Sequence, residues 1–149
     1  LWPAGRLVGG SSAINAMIYC RGHRGSYDRW QCDAAGQSVS PGPADAPVWN
    51  YDPLLPYFRR SEDFEGVESI HHGTGGPIGV SASRHSTALA DAFLSGCAEL
   101  GIRRTDDFNS NGAEGAGYLH MTQRGGRRTS SARYLVPRWR DMGSLVCPF

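Results

Sequence analysis

The sequence predicts an α/β or α+β fold, and three observations carry that reading. Residues 77–83 alternate apolar and polar positions at Ile78, Val80 and Ala82, the period of a half-buried strand. Leu89, Phe93, Leu94, Cys97 and Leu100 recur at spacings of three and four, the period of one helix face. Apolar residues make up 40% of the chain and charged residues 19%, enough to build a core and too apolar for a disordered segment.

Taken in order, residues 1–10 read as a loop that delivers the backbone to a helix, with Ser11 or Ser12 as N-cap and residues 13–20 as its buried start. A short second helix is expected over residues 26–30, capped by Ser26. Residues 32–49 are rich in Ala, Gly, Ser, Pro and Asp and read as an exposed loop. Asp52 then caps a helix with Pro53 at its first position, where the missing N–H costs nothing. Leu54, Leu55, Tyr57 and Phe58 form its buried face, and Arg59-Arg60-Ser61-Glu62-Asp63 its solvated end. A turn-rich stretch over 71–79 leads into the strand. Ser86 or Thr87 opens the long apolar-striped helix, and Gly101 stands where a C′ glycine belongs. Residues 106–117 read as loop, 118–122 as a strand, and Thr129 or Ser130 as the cap of a last helix ending near Pro137.

The 149 residues amount to one domain, and a net charge of +1 gives no case for nucleic acid or an anionic membrane surface. Every basic side chain is Arg, read here as a coding bias of bacterial type; these arginines remain able to hold phosphate or carboxylate bidentately. The cysteines, Cys20, Cys32, Cys97 and Cys147, form no CxxC pair and read as free thiols, buried at Cys20 and Cys97. No run of about 18 apolar residues and no secretory h-region is present, so the expected location is cytoplasmic, free or membrane-associated. Both ends read as cut, at Leu1 and at Phe149, which makes an internal fragment the expectation.

The chemistry concentrates in Gly5-Arg6-Leu7-Val8-Gly9-Gly10-Ser11-Ser12-Ala13-Ile14-Asn15. Two adjacent glycines let the backbone approach a ligand, and two hydroxyls follow at the expected helix start. Unpaired N–H groups and a partial positive charge at such a start accept phosphate. Asn15 both donates and accepts, which suits the edge of a heterocycle better than a bare phosphate. On its own, a Gly-Gly-Ser-Ser loop is more often an ordinary tight turn and N-cap than a ligand site.

The continuation Ala16-Met17-Ile18-Tyr19-Cys20-Arg21-Gly22, with Asp28 and Trp30 beyond it, resembles the signature of the glucose–methanol–choline (GMC) oxidoreductase family, in its choline dehydrogenase-like branch. Leu55-Pro56-Tyr57-Phe58-Arg59-Arg60-Ser61-Glu62, His72-Gly73-Thr74-Gly75-Gly76-Pro77, Thr105-Asp106-Asp107-Phe108-Asn109, Glu114-Gly115-Ala116-Gly117 and Arg127-Arg128-Thr129-Ser130-Ser131-Ala132-Arg133 resemble later family segments in the same order. The resemblance implies part of an FAD-binding domain over 1–31, a flavin-lid and connecting segment over 32–66, and an incomplete substrate-binding domain with an antiparallel sheet over 67–149. It implies FAD contacts at Arg6, Val8, Gly9, Gly10, Ser11, Asn15, Ala16, Met17 and Ile18. Ile14 occupies the place where some members carry a histidine that bonds FAD covalently, so dissociable FAD is expected. Ala4 replaces a frequent Arg, and the 32–49 loop is longer than usual. The family's GxGxxG would precede Leu1, and its catalytic histidine and His/Asn partner would follow Phe149, so no residue here is assigned a catalytic role.

The implied parent transfers a hydride from the CH–OH carbon of an alcohol or choline-like substrate to flavin N5 and passes electrons to an acceptor. The alternatives are a flavin-binding hydroxynitrile lyase-type member, a module binding some other anion, or a truncated non-catalytic fragment. Other groups read as structural. Gly73 to Gly79 is a turn and not a phosphate loop, and His71-His72 is a solvated or hydrogen-bonded pair with no metal partner at ligand spacing. Asp106-Asp107 cap a turn and pair with arginine, and Ser130-Ser131 cap a helix. Met17 and Met121 are packing residues.

Overall fold

A computed structural model describes residues 3–31, 49–110 and 114–134. Nearly all of the expected 32–49 loop, Cys32, Cys147 and the far end of the last helix lie outside the described residues. A 3-10 turn, Gly10–Ala13, is followed by α1 (Arg24–Asp28), a 3-10 turn (Arg29–Gln31), α2 (Tyr51–Ser61), β1 (Glu62–Phe64), β2 (Ile78–Ala82) and α3 (Ala88–Glu99). The short strands β3 (His120–Met121), β4 (Gln123–Arg124) and β5 (Arg127–Arg128) follow, and residues 131–134 are again helical. β2 is the middle strand of a mixed sheet. It runs parallel to β1, with Glu62 opposite Ile78, and antiparallel to β3, with Ser81 opposite Met121. β4 and β5 form a hairpin, docked on β2 by the Gln123 amide, which donates to the Ala82 carbonyl at 3.0 Å. The predicted mixed α and β class, with antiparallel pairing, is what the chain adopts.

Several elements differ in detail. The helix expected over residues 13–20 does not form: the chain leaves helical geometry after Ala13, and Ile18 pairs instead with Met121 in an antiparallel bridge. α1 starts two residues earlier than expected and is capped by His23, whose ring accepts from the Gly25 N–H, so Ser26 is not the cap. Asn50 precedes α2, Asp52 lies in its first turn, and the Tyr51 N–H is capped from outside by the Asp28 carboxylate at 3.1 Å. α2 buries Tyr51 and leaves Tyr57 exposed, because the aromatic cluster formed by Tyr27 against Trp30, Tyr51 and Phe58 fixes which side faces α1. The expected solvated end of α2 contains a fully buried residue, Glu62.

β2 is covered on both faces at Gly79, Val80 and Ser81, and Ala82 is exposed, the reverse of simple alternation. A central strand with a hairpin against it has no solvated face to alternate with. The expected strand over 118–122 reduces to the two residues of β3. α3 starts as expected, with the Thr87 hydroxyl accepting from the Ala90 N–H at 3.2 Å, and Gly101 beyond its end takes φ +78°. Its stripe is only half used: Leu94 and Cys97 are buried, whereas Leu89, Phe93 and Leu100 are 81%, 67% and 82% exposed. Cys20 is exposed and not buried; Cys97 is a buried free thiol. At the last helix, Ser130 immediately precedes the helical residues and its carbonyl accepts from Arg133, while Thr129 donates to Thr122.

The turn that links β1 to β2 depends on close backbone contact. A Cβ at Gly73 would stand 2.1 Å from the Arg59 carbonyl oxygen, and one at Gly76 2.4 Å from that of Glu62. Gly73→Ala should therefore lower the unfolding free energy by about 2–3 kcal/mol in denaturant titrations, since backbone must move. Gly96→Ala, in α3 with nothing within 4 Å of the new Cβ, should raise it by about 0.5–1 kcal/mol. Equal effects of the two substitutions would contradict the packing of this turn.

Candidate functional site

The segment from Arg6 to Ile18 is an irregular wall at the surface. Gly9 and Gly10 have φ values of +97° and +53°, so two consecutive residues lie in the left-handed region, which costs other residues about 1–2 kcal/mol each. The Gly-Gly pair is thus a backbone requirement. At Gly9 a Cβ would also press on Ala132 at 3.0 Å, while the same position at Gly10 is open. Ser11 lies in the four-residue turn, and its hydroxyl accepts from the Gly5 N–H at 3.2 Å. The expected anion site at a helix start needs correction, because no helix follows; the segment offers a 3-10 turn, hydroxyls and irregular backbone. Arg6, Val8, Ser11, Asn15, Ala16 and Ile18 are exposed, and Gly9, Gly10 and Met17 half-buried.

This wall is held from behind by residues far along the chain. The Ser131 hydroxyl donates to the Gly9 carbonyl at 3.0 Å, and its N–H donates to the Ser12 hydroxyl at 3.0 Å. Arg128 donates through Nη1 to the Ser12 carbonyl (3.2 Å) and to Asn15 Oδ1 (2.7 Å), and through Nη2 to the Asn15 carbonyl (2.7 Å). Asn15 Oδ1 also accepts from the Met17 N–H at 3.1 Å. Met17 is the one non-glycine described residue at positive φ, +63°. Its carbonyl accepts from the N–H and hydroxyl of Thr122, at 2.6 and 3.1 Å. Met17 is therefore a strained backbone position fixed by its neighbours, beyond the packing role expected of it. Neither Arg128 nor Thr122 was expected to touch this segment; Ser131, read as part of a helix cap, is a clamp.

A second constellation lies in the interior. Glu62 receives Arg21 Nη2 at 2.7 Å and the Gly73 N–H at 3.0 Å on one oxygen, and His72 Nδ1 at 2.9 Å on the other. His72 Nε2 reaches Asp107 Oδ2 at 2.8 Å. Asp107 Oδ1 accepts from the Asn109 N–H at 2.8 Å, and Asn109 in turn accepts from the Arg21 N–H at 2.8 Å. Phe64 stacks on His72 with centroids 4.1 Å apart. Burial pulls the His72 pKa down, but the hydrogen bonds to Asp107 and Glu62 outweigh it and hold the value up to about 9. Burial pushes Asp107 up, and the His72 and Asn109 hydrogen bonds bring it down to about 2. His120, 3.6 Å from Asp107, is lowered by its burial.

Of the expected solvated or hydrogen-bonded pair, His72 is hydrogen-bonded, to carboxylates that escaped sequence spacing; His71 departs from the expectation, its ring nitrogens being buried with no hydrogen-bond partner among the described residues. Among the described residues Asp107 pairs with histidines and not with arginine, the expected partner. His72, Asp107 and His120 offer ligand atoms within 4.8 Å of one another. Both His72 nitrogens face carboxylates, however, and Arg21, Glu62, His72 and Asp107 balance two positive charges against two negative ones. That is the arrangement of a buried ion network that holds a proton.

A family model described as GMC oxidoreductase matches residues 1–147. Human mitochondrial choline dehydrogenase is 39% identical over 137 residues, 91% of this chain and 21% of that protein. The oxygen-dependent choline dehydrogenase of Rhizobium johnstonii is 38% identical over 137 residues, 91% of this chain and 23% of its own length. Among solved structures, pyridoxine 4-oxidase from Mesorbium loti superposes with a TM-score of 0.74 at 34% identity, over 89% of this chain and 24% of that one. A fungal aryl-alcohol oxidase gives 0.74 at 25% identity, over 89% and 24%. The chain thus spans about a fifth to a quarter of the length of these relatives.

The interior network makes two predictions. Glu62→Gln leaves Arg21 and His72 facing a neutral amide in a dry interior and should cost about 3–5 kcal/mol in denaturant unfolding. A cost below about 1 kcal/mol would show that the network does not hold the fold. The His72 pKa is raised from 6.5 to about 9, so its contribution is complete below pH 6.5 and is lost as pH rises through 9. Asp107, lowered from 3.8 to about 2, contributes above pH 3.8 and loses that as pH falls through 2. Stability should be greatest between these limits, and His72→Gln should flatten the alkaline decline; an unchanged alkaline limb in that variant would contradict the assignment.

Proposed function

The chain belongs to the GMC oxidoreductase family, and from that premise we propose that it is the cofactor-wall portion of an FAD-dependent oxidoreductase acting on the CH–OH group of an alcohol or choline-like substrate. The observation that carries the reading is the Gly9-to-Ile18 segment at the surface: two left-handed glycines, an exposed Ser11, and an exposed Asn15 whose Nδ2 donates to nothing among the described residues. Val8, Ile14 and Ile18 beside them are each about half exposed, at 48%, 48% and 51%. Apolar side chains interleaved with unspent donors fit a flat heterocycle with a polar edge and a phosphate tail.

Bound FAD supplies the electron sink that takes the hydride from the substrate carbon. The residues of this chain bind and orient it. In our reading Arg6 and Ser11 address its phosphates, and Val8, Gly9 and Gly10 allow close approach. Asn15, Ala16, Met17 and Ile18 border the ring and its side chain. Ile14 carries no nucleophile, so the flavin is held without a covalent bond. Residues 1–31 belong to the FAD-binding domain, 32–66 to the lid and connection, and 67–149 to the substrate-binding domain. The base that takes the hydroxyl proton lies outside this chain. The parent acts on a small molecule, delivers electrons to an acceptor, and resides in the cytoplasm, free or at a membrane surface.

The test is direct. The full-length parent should purify yellow, and acid precipitation should leave all of its flavin in the supernatant. Flavin retained in the protein pellet would contradict the non-covalent assignment. A colourless parent that cannot be loaded with FAD would sink the functional reading.

A further inference from the structure

We propose that Arg128 is a positioning residue for the cofactor: its guanidinium locks the Asn15 side-chain amide so that Nδ2, and not Oδ1, is presented outward. The inference rests on the flavin reading above and deepens it.

An asparagine amide offers an acceptor on one side and two donors on the other, and a free one at the surface presents either by rotating about its last bond. Asn15 cannot do so. Its Oδ1 lies 2.7 Å from Arg128 Nη1 and 3.1 Å from the Met17 N–H. Both neighbours are pure donors, so exchanging O and N would set the amide's own N–H groups against them. The hydrogen-bond network therefore fixes the orientation without ambiguity. The same guanidinium reaches the Asn15 and Ser12 carbonyls. Three acceptors, two backbone carbonyls and one side-chain oxygen, thus meet one planar fork, which a lysine ammonium on a single stem does not match. Charge assistance makes these bonds stronger than neutral ones. The Nδ2 hydrogens remain on an exposed side chain with no partner among the described residues.

The consequence is selective. The wall presents donors at this point, so it recognises an acceptor edge of the heterocycle, carbonyl oxygen or bare ring nitrogen, and rejects an N–H edge. A donor aimed at such an edge also interacts more strongly with the electron-rich reduced ring than with the oxidised one. Arg128 thus acts on the cofactor through Asn15, from a strand more than a hundred residues away.

The experiment uses the full-length parent, stripped of flavin and titrated with FAD, comparing wild type, Arg128→Gln, Asn15→Ala and the double variant. Each single change should weaken FAD binding by about tenfold, the worth of one directed hydrogen bond, and lower the flavin reduction potential in parallel. The double variant should bind no more weakly than Asn15→Ala. A hundredfold loss in the double variant, or wild-type affinity in Arg128→Gln, overturns the proposal. Arg128→Lys, which keeps the charge and loses the fork, should behave like Arg128→Gln; full rescue of affinity and potential by lysine overturns the positioning role, and this variant serves if Arg128→Gln does not fold. If wild type itself binds no FAD, the flavin reading fails first and this inference falls with it. A binding defect confined to the variants rejects neither.

Discussion

The carboxylate of Glu62 is the interaction on which the rest of the described structure depends. It is fully buried at the junction of α2 and β1, and it gathers three parts of the chain that are remote in sequence. Arg21 arrives from the segment after the surface wall of residues 9–18, His72 and the Gly73 N–H from the turn before β2, and through His72 the turn that carries Asp107 and Asn109. A single buried carboxylate would be costly. Here each oxygen is met by a donor, and the positive partners are themselves fixed: Arg21 donates onward to the His71 carbonyl at 2.6 Å. Asn109 completes the circuit by donating to the Tyr19 carbonyl at 3.1 Å. The network therefore sets the position of residues 19–21, and residues 9–18 end where those begin.

From that anchor the surface wall is built by borrowing. Gly9 to Ile18 has one short turn of its own and almost no local reason to keep its shape. β3 supplies the Ile18 bridge and accepts the Tyr19 N–H at the His120 carbonyl; Thr122, Arg128 and Ser131 supply the rest. Positive φ at Met17 persists because Asn15 on one side and Thr122 on the other over-determine it. A wall held this way is irregular in backbone yet defined in position, which a helix of the same length would be only along one face.

What was legible in the sequence follows from how local each constraint is. The Gly9-Gly10 requirement is local, so the tight backbone there was legible from the glycine pair itself; Thr87 and Gly101 bound α3 for the same reason. The helix expected over residues 13–20 failed because its composition permits helix, while the competing bonds come from residues 120–128, about a hundred positions away. Glu62 was misread because Arg59 to Asp63 looks like any solvated helix end. A usable signal did exist. Glu62 closes one of the family-like segments, His72 opens another, and Asp107 and Asn109 sit in a third. Charged residues that recur inside motif segments, with no ligand chemistry assigned to them, are candidates for each other's partners.

The interior is more polar than a domain of this composition would be expected to choose. Its buried apolar residues among those described are Tyr51, Val80, Leu94 and Cys97, set against buried Arg21, Glu62, His72, Asn109, His120 and Gln123. Ion networks of this kind specify a geometry more surely than they add net stability, so apolar burial must provide the remainder. The exposed stripe of α3 is the obvious reserve. Phe93 and Leu94 open with Ile102, Phe108 and Leu119 onto an apolar groove of about 540 Å³. Phe108 stands between Asp107 and Asn109, so a side chain of the groove and two members of the ion network share one turn. Whatever packs into the groove restrains that turn, and through Asp107 and His72 it restrains Glu62. The apolar groove and the polar network therefore meet at Phe108.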